Sequence, residues 1–357
     1  MIKYINRWYD RVKPFLFRYK DGFFELPYVS NTPILMIDSF RKMPFIKHDE
    51  LKKRIISNSP FVDANVYYFE LSEELIVVYS TLIIKSNTCF KSHLNKSIDN
   101  DWYNLTLSTN LDFLNVSKRI IKGEQLEKST FQFLKQGYNV DTYHFKDSNF
   151  ISFSIYFKKS FIDRYLRASK ADNKIIKDFI TSNRNYVISS ISDENYVTEF
   201  LTNIKEYSDI EFKDRDQKLM IKYVNDLLDF YTSNSSETLN MNKLINISNN
   251  DRIKIVEIEK ILQSNIYNKF PGITILAKQV GFSETKLKSL FKLTYGATLL
   301  DYFQNIQMKS ALEKIHESNN KVTDIASEFG YSNVSKFSST FKKYNGKLPS
   351  DFISNKL

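Results

Sequence analysis

The chain has 357 residues and a net charge of +10, and 42% of its residues are hydrophobic. This length allows two or three domains, and the apolar fraction supports folded cores, which excludes a disordered chain. With one cysteine and four histidines that are far apart in sequence, an internal disulfide framework and a multi-cysteine zinc site are excluded, and we expect no metal and no cofactor.

The sequence predicts neither a membrane span nor a secretion signal. The longest apolar run, residues 75–84, is too short to cross a bilayer. The N-terminal residues are polar and aromatic and lack an apolar signal-peptide core. We therefore expect a cytoplasmic protein. The excess positive charge is denser in the last third of the chain, but Lys, Ile and Asn are abundant throughout, so charge alone indicates little about a partner.

The first part of the chain is predicted to be rich in β-structure. Five of the seven prolines fall in residues 1–60, which predicts an irregular lead-in with short strands. Over 61–157, aromatic and β-branched residues are concentrated in short segments separated by Asn, Asp, Ser and Gly. These segments are 66–71, 75–84, 102–108, 129–134, 140–145 and 150–157. Short antiparallel strands of this kind predict a sandwich or a small barrel.

Residues 158–235 are predicted to be helical and to include an αα-hairpin. Apolar side chains recur there at helical spacing in two stripes, at Val197, Phe200, Leu201 and Ile204 and then at Met220, Tyr223, Val224, Leu227 and Tyr231. The stripes pack either on the β-rich domain or on a second copy of the chain, and the spacing favours neither. Residues 236–250 are polar and rich in Ser and Asn, which is typical of a linker.

Residues 251–357 are predicted to be all-helical and contain a duplicated motif. Ala277, Gly281 and Ser283 recur 49 positions later as Ala326, Gly330 and Ser332. Phe291, Lys292 and Gly296 recur 50 positions later as Phe341, Lys342 and Gly346. After a first helix with the stripe Ile255, Ile258 and Leu262, we expect helices over 273–280, 284–294, 298–316, 322–329 and 333–344. Helix pairs around a tight glycine turn are the plan of two helix-turn-helix units.

The second helix of each pair is predicted to present a polar face to DNA. Glycine accepts the positive φ of the turn, and Ser283 and Ser332 are expected to cap the helices that follow. Leu287, Phe291, Phe337 and Phe341 would then face the core. The outward residues are Glu284, Thr285, Lys288, Ser289 and Lys292 in the first helix and Asn333, Ser335, Lys336, Ser339, Lys342 and Lys343 in the second. Lysines can neutralise phosphates, and hydroxyl and amide groups can meet base edges.

Residues 255–353 resemble the DNA-binding domain of the AraC/XylS family of bacterial transcription regulators. The segments that carry the resemblance are LAKQVGFSETKLKSLFK, VTDIASEFGYSNVSKFSSTFKK and the ending GKLPSDF. The resemblance implies base contacts by Thr285, Lys288 and Ser289 in one major-groove segment and by Asn333, Val334, Ser335 and Ser339 in the next. It also implies RNA polymerase as a partner, a role as an activator, and a cupin-like sensor domain ahead of the DNA-binding domain.

Two features depart from the family pattern. Gln307 stands where the family usually has an arginine in its linker helix. Neither recognition helix contains arginine, which is the commonest reader of guanine. We therefore expect readout by hydroxyls, Asn, methyl contacts and DNA shape, at A/T-rich sites.

The predicted fold class is α+β: a β-rich, cupin-like or sandwich domain with a helical hairpin that could serve dimerisation, and then an all-α double helix-turn-helix domain. The predicted function is sequence-specific regulation of transcription through double-stranded DNA, controlled by a small-molecule effector. In the alternative, the N-terminal region only dimerises or binds a partner protein. Aromatic residues of the strands, among them Tyr156 and Phe153, could line a pocket but are more typical of a core. Cys89 has no catalytic setting, so we do not expect an enzyme.

Overall fold

A computed structural model describes residues 18–95, 97–98, 101–111, 119–121, 124–125, 128–135, 140–168, 174–209, 216–234, 247–295, 297–317 and 321–354. The chain divides into two compact units, residues 1–246 and 247–357. Gly296 and residues 236–246 of the predicted linker lie outside the described residues. None of the described helices combines the length and the apolar character that crossing a bilayer requires.

The N-terminal unit contains two β-sheets. Its strands are β1 Arg18–Lys20, β2 Phe23–Val29, β3 Ile46–Asp49, β4 Arg54–Asn58, β5 Val62–Ser72, β6 Leu75–Ile84, β7 Thr88–His93, β8 Trp102–Asn110, β9 Arg119–Ile121, β10 Glu124–Gln125, β11 Ser129–Lys135, β12 Asp141–His144, β13 Asn149–Lys158 and β14 Tyr186–Ser190. One sheet has six strands in the order β1-β2-β7-β12-β9-β10, and the other has eight in the order β14-β11-β8-β13-β6-β5-β4-β3. The sheets face each other as a sandwich, with Leu26 of β2 packed against Val62 and Phe150 of the larger sheet.

All six segments predicted as strands are strands, but the sheets begin earlier in the chain than residue 61. Strand β2 pairs with β7 and β4 pairs with β5, so part of the expected lead-in belongs to both sheets. Proline was the misleading signal. Pro27 lies in β2 beyond the three residues that pair with β1, so only β7 flanks it and its missing N–H breaks no ladder on the other side.

The four described helices of this unit after residue 158 cover the outer face of the larger sheet, whereas the helix that begins at Pro33 packs on its other face. The helices of this unit are α1 Pro33–Arg41, α2 Lys159–Ala168, α3 Lys174–Thr181, α4 Glu194–Asp209 and α5 Gln217–Asn234. Both predicted stripes, on α4 and α5, join one buried cluster with Phe131, Phe133 and Phe153 of the sheet. The stripes are therefore buried mainly within their own chain. Residues 186–190, predicted as helical, form β14 instead because their β-branched residues pair with β11.

The C-terminal unit is all-helical. Its helices are α6 Asn249–Ser264, α7 Ile273–Val280, α8 Glu284–Tyr295, α9 Leu299–Glu317, α10 Val322–Glu328, α11 Val334–Asn345 and α12 Pro349–Ser354. The predicted helices are confirmed to within about two residues at their ends. Gly281 and Gly330 have φ values of 67° and 75°, as the predicted tight turns require. Ala277 and Ala326 are buried where the helices of each pair cross.

The long helix α9 joins the two helix-turn-helix units. Thr298 accepts a hydrogen bond from the backbone N–H of Asp301 at 3.1 Å and so caps the first turn of α9. In its second half, Met308 and Ala311 pack in a buried cluster with Phe337 of α11. The core of the second helix-turn-helix unit therefore includes the second half of α9.

Candidate nucleic-acid interface and ligand cavity

Helix α8 presents a polar face to solvent. The backbone N–H of Lys286 donates to Ser283 Oγ at 3.2 Å, which confirms the predicted cap. Leu287 and Phe291 are fully buried, so the helix is fixed on the core by its apolar stripe. The outward predicted residues Thr285, Lys288, Ser289 and Lys292 are all exposed.

An acidic residue lies at the start of this face. Glu284 accepts hydrogen bonds from Thr274 Oγ1 at 2.6 Å and from Lys288 Nζ at 3.4 Å. The Thr274 hydroxyl first, and Lys288 second, lower the pKa of the Glu284 carboxyl below its ordinary value, so it is ionised at neutral pH. The positive charge of Lys288 is therefore partly neutralised by a carboxylate of the same helix.

Helix α11 presents the corresponding face of the second unit, but its cap differs. Asn333, and not the predicted Ser332, is the N-cap, with Oδ1 accepting from the Lys336 N–H at 3.0 Å. Four residues separate Ser332 from the core residue Phe337, one more than separate Ser283 from Leu287 in the first unit, and the helix start is shifted by one position. The predicted contact residues Asn333, Val334, Ser335, Lys336, Ser339 and Lys342 are exposed.

The Lys343 side chain forms hydrogen bonds within the C-terminal unit. Its Nζ donates to Asp301 Oδ1 at 2.9 Å, and the hydroxyl of Tyr344 lies 3.2 Å from the same oxygen. The hydrogen bond from Lys343 holds the pKa of Asp301 below its ordinary value, and the bonds to Tyr344 and Asp301 raise the pKa of Lys343. This lysine therefore ties the end of α11 to the start of α9, whereas the sequence placed it on the DNA face.

Gln307 connects the two helix-turn-helix units. Its Nε2 donates to the carbonyl oxygens of Ile266 at 2.7 Å and Asn268 at 3.0 Å, in the loop before α7, and of Phe329 at 3.0 Å, after α10. A Cβ on Gly330 would lie 3.0 Å from the backbone of Asn268, so only glycine allows this approach. We call Gln307 with these three carbonyls the inter-unit clasp.

The sheets of the N-terminal unit enclose a cavity of about 240 Å³. Its two apolar ends are formed by Leu26, Val62 and Phe150 and by Met36, Ile55 and Val78. Tyr156 lines the cavity, whereas Phe131 and Phe153 point to the opposite face of the sheet and lie in the core under the helices. A second chamber of about 170 Å³ shares Tyr28, Gln132 and Tyr156 with the first.

A band of hydroxyl groups, which was not among the predicted site residues, crosses the middle of the cavity wall. Ser80 Oγ and Ser152 Oγ are 2.7 Å apart, as are Thr106 Oγ1 and Ser154 Oγ. Thr106 also donates to Asn104 Oδ1 at 3.0 Å. The sequence pattern of β13 could have indicated the band, because Ser152 and Ser154 are separated by Phe153 and therefore lie on the same face of the strand.

The described residues contain neither a cluster of metal ligands nor an exposed cysteine. No group of three or more His, Cys, Asp or Glu side chains in those ranges could hold a metal ion. Cys89 lies in β7 and is 1% exposed. His144 is buried, stacked on Phe150 at a ring distance of 4.8 Å, while His93 is exposed.

Comparison with known proteins links the C-terminal unit to gene regulators. A family model described as "Helix-turn-helix domain" matches residues 276–355. The chain is 32% identical over 108 residues to the probable transcription factor PqrA of Proteus vulgaris, covering 30% of this chain and 83% of that protein. It is 29% identical over 81 residues to the regulatory protein SoxS of Escherichia coli K12, covering 23% and 76%. The structure of ToxT from Vibrio cholerae aligns over 79% of this chain and 98% of that chain, with 15% identity and a TM-score of 0.28.

Proposed function

Because this chain belongs to the AraC/XylS family of bacterial transcription regulators, we propose that it binds double-stranded DNA sequence-specifically and activates transcription. The observation that carries the proposal is the pair of exposed Ser, Thr and Lys faces on α8 and α11, each held by a buried apolar stripe. RNA polymerase is the expected partner at the promoter, in the cytoplasm, where bacterial DNA lies.

The two faces divide into groups by chemistry. Lys288, Lys292, Lys336 and Lys342 are assigned to DNA phosphates because their charge neutralises the backbone without regard to sequence. The groups assigned to base edges are Thr285, Ser289, Asn333, Ser335 and Ser339, with Val334 against a thymine methyl group. Asn333 uses its oxygen as the helix cap, so its amide nitrogen is the group available to a base.

The DNA-binding proposal is tested by selecting binding sites from random duplexes with the full chain. We expect one enriched site of roughly 20 base pairs, with affinity that falls steeply with salt. Replacing Lys292 and Lys342 together by alanine should lower the slope of log affinity against log salt by about 2. Lys218→Ala, an exposed lysine of the N-terminal unit, is the matched control. The absence of any salt-sensitive, sequence-selective binding contradicts the proposal.

The cavity between the sheets supports a small-molecule effector as the trigger. It is lined by both sheets and α1, and it combines apolar ends with a band of hydroxyls, as ligand sites do. Native mass spectrometry of the purified full chain is the test. A stoichiometric bound small molecule is expected, whereas an empty homodimer would favour the alternative in which this unit only dimerises or binds a partner protein.

A further inference from the structure

The described walls of the larger chamber carry polar groups but no carboxylate, ammonium or guanidinium group. Among the described residues, no Lys, Arg, Asp or Glu side chain lines the larger chamber. Its polar groups are hydroxyls, one amide and the imidazole of His144. The two phenols, Tyr28 and Tyr156, remain neutral at physiological pH because burial raises the pKa of each. An ionic group brought into this space would meet no fixed opposite charge.

Among the described residues that line the two chambers, Lys135 of the smaller chamber is the one lysine or arginine. The alternation of side chains along β11 directs it away from the larger chamber. Lys135 shares a face of the strand with Phe133, which lies in the core under the helices, while Gln132 faces the cavity. The Lys135 Nζ donates to the carbonyl of Ser182 at 2.6 Å and lies 5.4 Å from the ring centre of Phe179. It touches the smaller chamber, but its charge is held on the helical side of the sheet.

The hydroxyl band keeps hydrogen-bonding capacity for a ligand. Thr106 gives its single proton to Asn104, so Ser154 must donate to Thr106 and its own proton is used. In the pair Ser80 and Ser152 the bond of 2.7 Å uses one of two protons, so the second proton can be donated elsewhere. The pair therefore offers one donor and several lone pairs between the two apolar ends of the cavity.

We propose that the effector is an uncharged, largely apolar small molecule that carries a hydroxyl or carbonyl group, which binds at Ser80 and Ser152. Its apolar body lies against the ends formed by Leu26, Val62 and Phe150 or by Met36, Ile55 and Val78. Carboxylates and ammonium ions are excluded because they would lose their hydration without gaining a counter-charge. The cavity of about 240 Å³ is near the lower end of ligand sites, which favours a small molecule. This inference rests on the proposed effector role of the cavity.

The test uses the full chain and two carbon skeletons, each with three charges, at pH 7.5. The probes are octan-1-ol, octanoate and octylammonium, and 2-phenylethanol, phenylacetate and 2-phenylethylammonium. Titration calorimetry should show that at least one alcohol binds and that the ions of the same skeleton bind at least about 100-fold more weakly. Equal or tighter binding by an ion, or binding by none of the six, overturns the proposal.

Two variants locate the binding site. Replacing Ser80 and Ser152 together by alanine should weaken binding of the alcohol by about tenfold, since the hydrogen bond to the ligand is lost. Ser72→Ala combined with Ser233→Ala is the matched control, because both serines are exposed and lie outside the cavity lining, and it should have little effect. If the double variant binds as tightly as the unaltered chain, the assignment to this pair is wrong.

DNA binding is measured in parallel, so that the two proposals fail separately. A neutral probe that binds in the cavity and changes the affinity for the selected DNA site supports both. A neutral probe that binds there without any effect on DNA affinity supports the ligand class and contradicts the effector role. An ion that binds best in the cavity and changes DNA affinity contradicts the ligand class and leaves the effector role standing.

Discussion

The lysines on the two recognition helices differ in their interactions with other residues of the chain. Lys288 is paired with Glu284, and Lys343 is bound to Asp301 and Tyr344. Lys292 and Lys342 are exposed on the same faces. A phosphate contact by Lys288 must first replace an interaction within the protein, so the net gain from this lysine is reduced.

Removing the carboxylate should therefore strengthen DNA binding. We expect Glu284→Gln to raise affinity at low salt by about threefold and to increase the salt slope by up to about 0.9, because Lys288 becomes available to a phosphate. Fluorescence anisotropy over a salt series measures both quantities. Glu257→Gln, an exposed glutamate of α6, changes the net charge equally. The same gain in both variants would show that net charge, and not the pair, is responsible.

Side-chain burial was predictable from the sequence at these helices, but individual polar partners were not. The spacing of Leu287, Phe291, Phe337 and Phe341 identifies the buried face because burial follows the helical period. The cap at Asn333 depends on the backbone geometry of a single turn. The hydrogen bond from Lys343 to Asp301 joins residues that are 42 positions apart in the chain. Several Ser, Asn and Lys residues near each position could satisfy the same pattern.

At the scale of elements, the inter-unit clasp decides how the two helix-turn-helix units are joined. One amide nitrogen has two protons but lies near three carbonyls, so at least one contact is shared or weaker. Gln307 is 2% exposed, so these carbonyls have few other donors available. The clasp holds the loop before α7 against the end of α10.

Gln307→Met keeps the side-chain size and removes the donor. We expect a loss of about 1–3 kcal/mol in the free energy of opening around α7 and α10, because buried carbonyls lose their partner. Hydrogen exchange measured by mass spectrometry on the full chain should show faster exchange in both helices. Affinity for a full DNA site should fall more than affinity for either half. Gln279→Met, at an exposed position of α7, is the control, and equal effects would contradict the clasp.

Element boundaries show where local sequence is a sufficient guide. Helices α7 to α11 were predicted closely because each combines an apolar period with a glycine turn or a cap. The position of β2 within the expected short strands of the lead-in could not be assigned, and β14 was predicted as helical, because these strands pair with β7 and β11, far away in the chain. The cavity was missed for a related reason, since Ser80 and Ser152 become neighbours only through the register of β6 and β13.

At the scale of the whole molecule, the two recognition faces are not equivalent. The first carries Thr285 and Ser289 and the second Ser335 and Ser339, on helices with different caps. A single chain should therefore bind a non-palindromic site, with one half read by each helix. An activator that binds such a site has a defined direction on the promoter.

Paired substitutions should test this division. Thr285→Ala with Ser289→Ala should relax sequence preference in one half of the selected site, and Ser335→Ala with Ser339→Ala in the other. Each contacted base pair should lose about 1–3 kcal/mol of discrimination. Site selection repeated with each variant provides the measurement. Relaxation of the same positions by both variants, or a palindromic consensus from one bound chain, would contradict the assignment.

The single cysteine makes the orientation on DNA directly measurable. Because Cys89 is 1% exposed inside the sandwich, thiol reagents should leave the native surface unlabelled. A cysteine introduced at Gln279 of α7 or at Ser327 of α10, both exposed and neither assigned to a DNA contact, would then be the reactive thiol, and Cys89 need not be replaced first. A DNA-cleaving chelate attached at one position and then at the other would cut at opposite ends of the site and show which helix lies nearer to the transcription start.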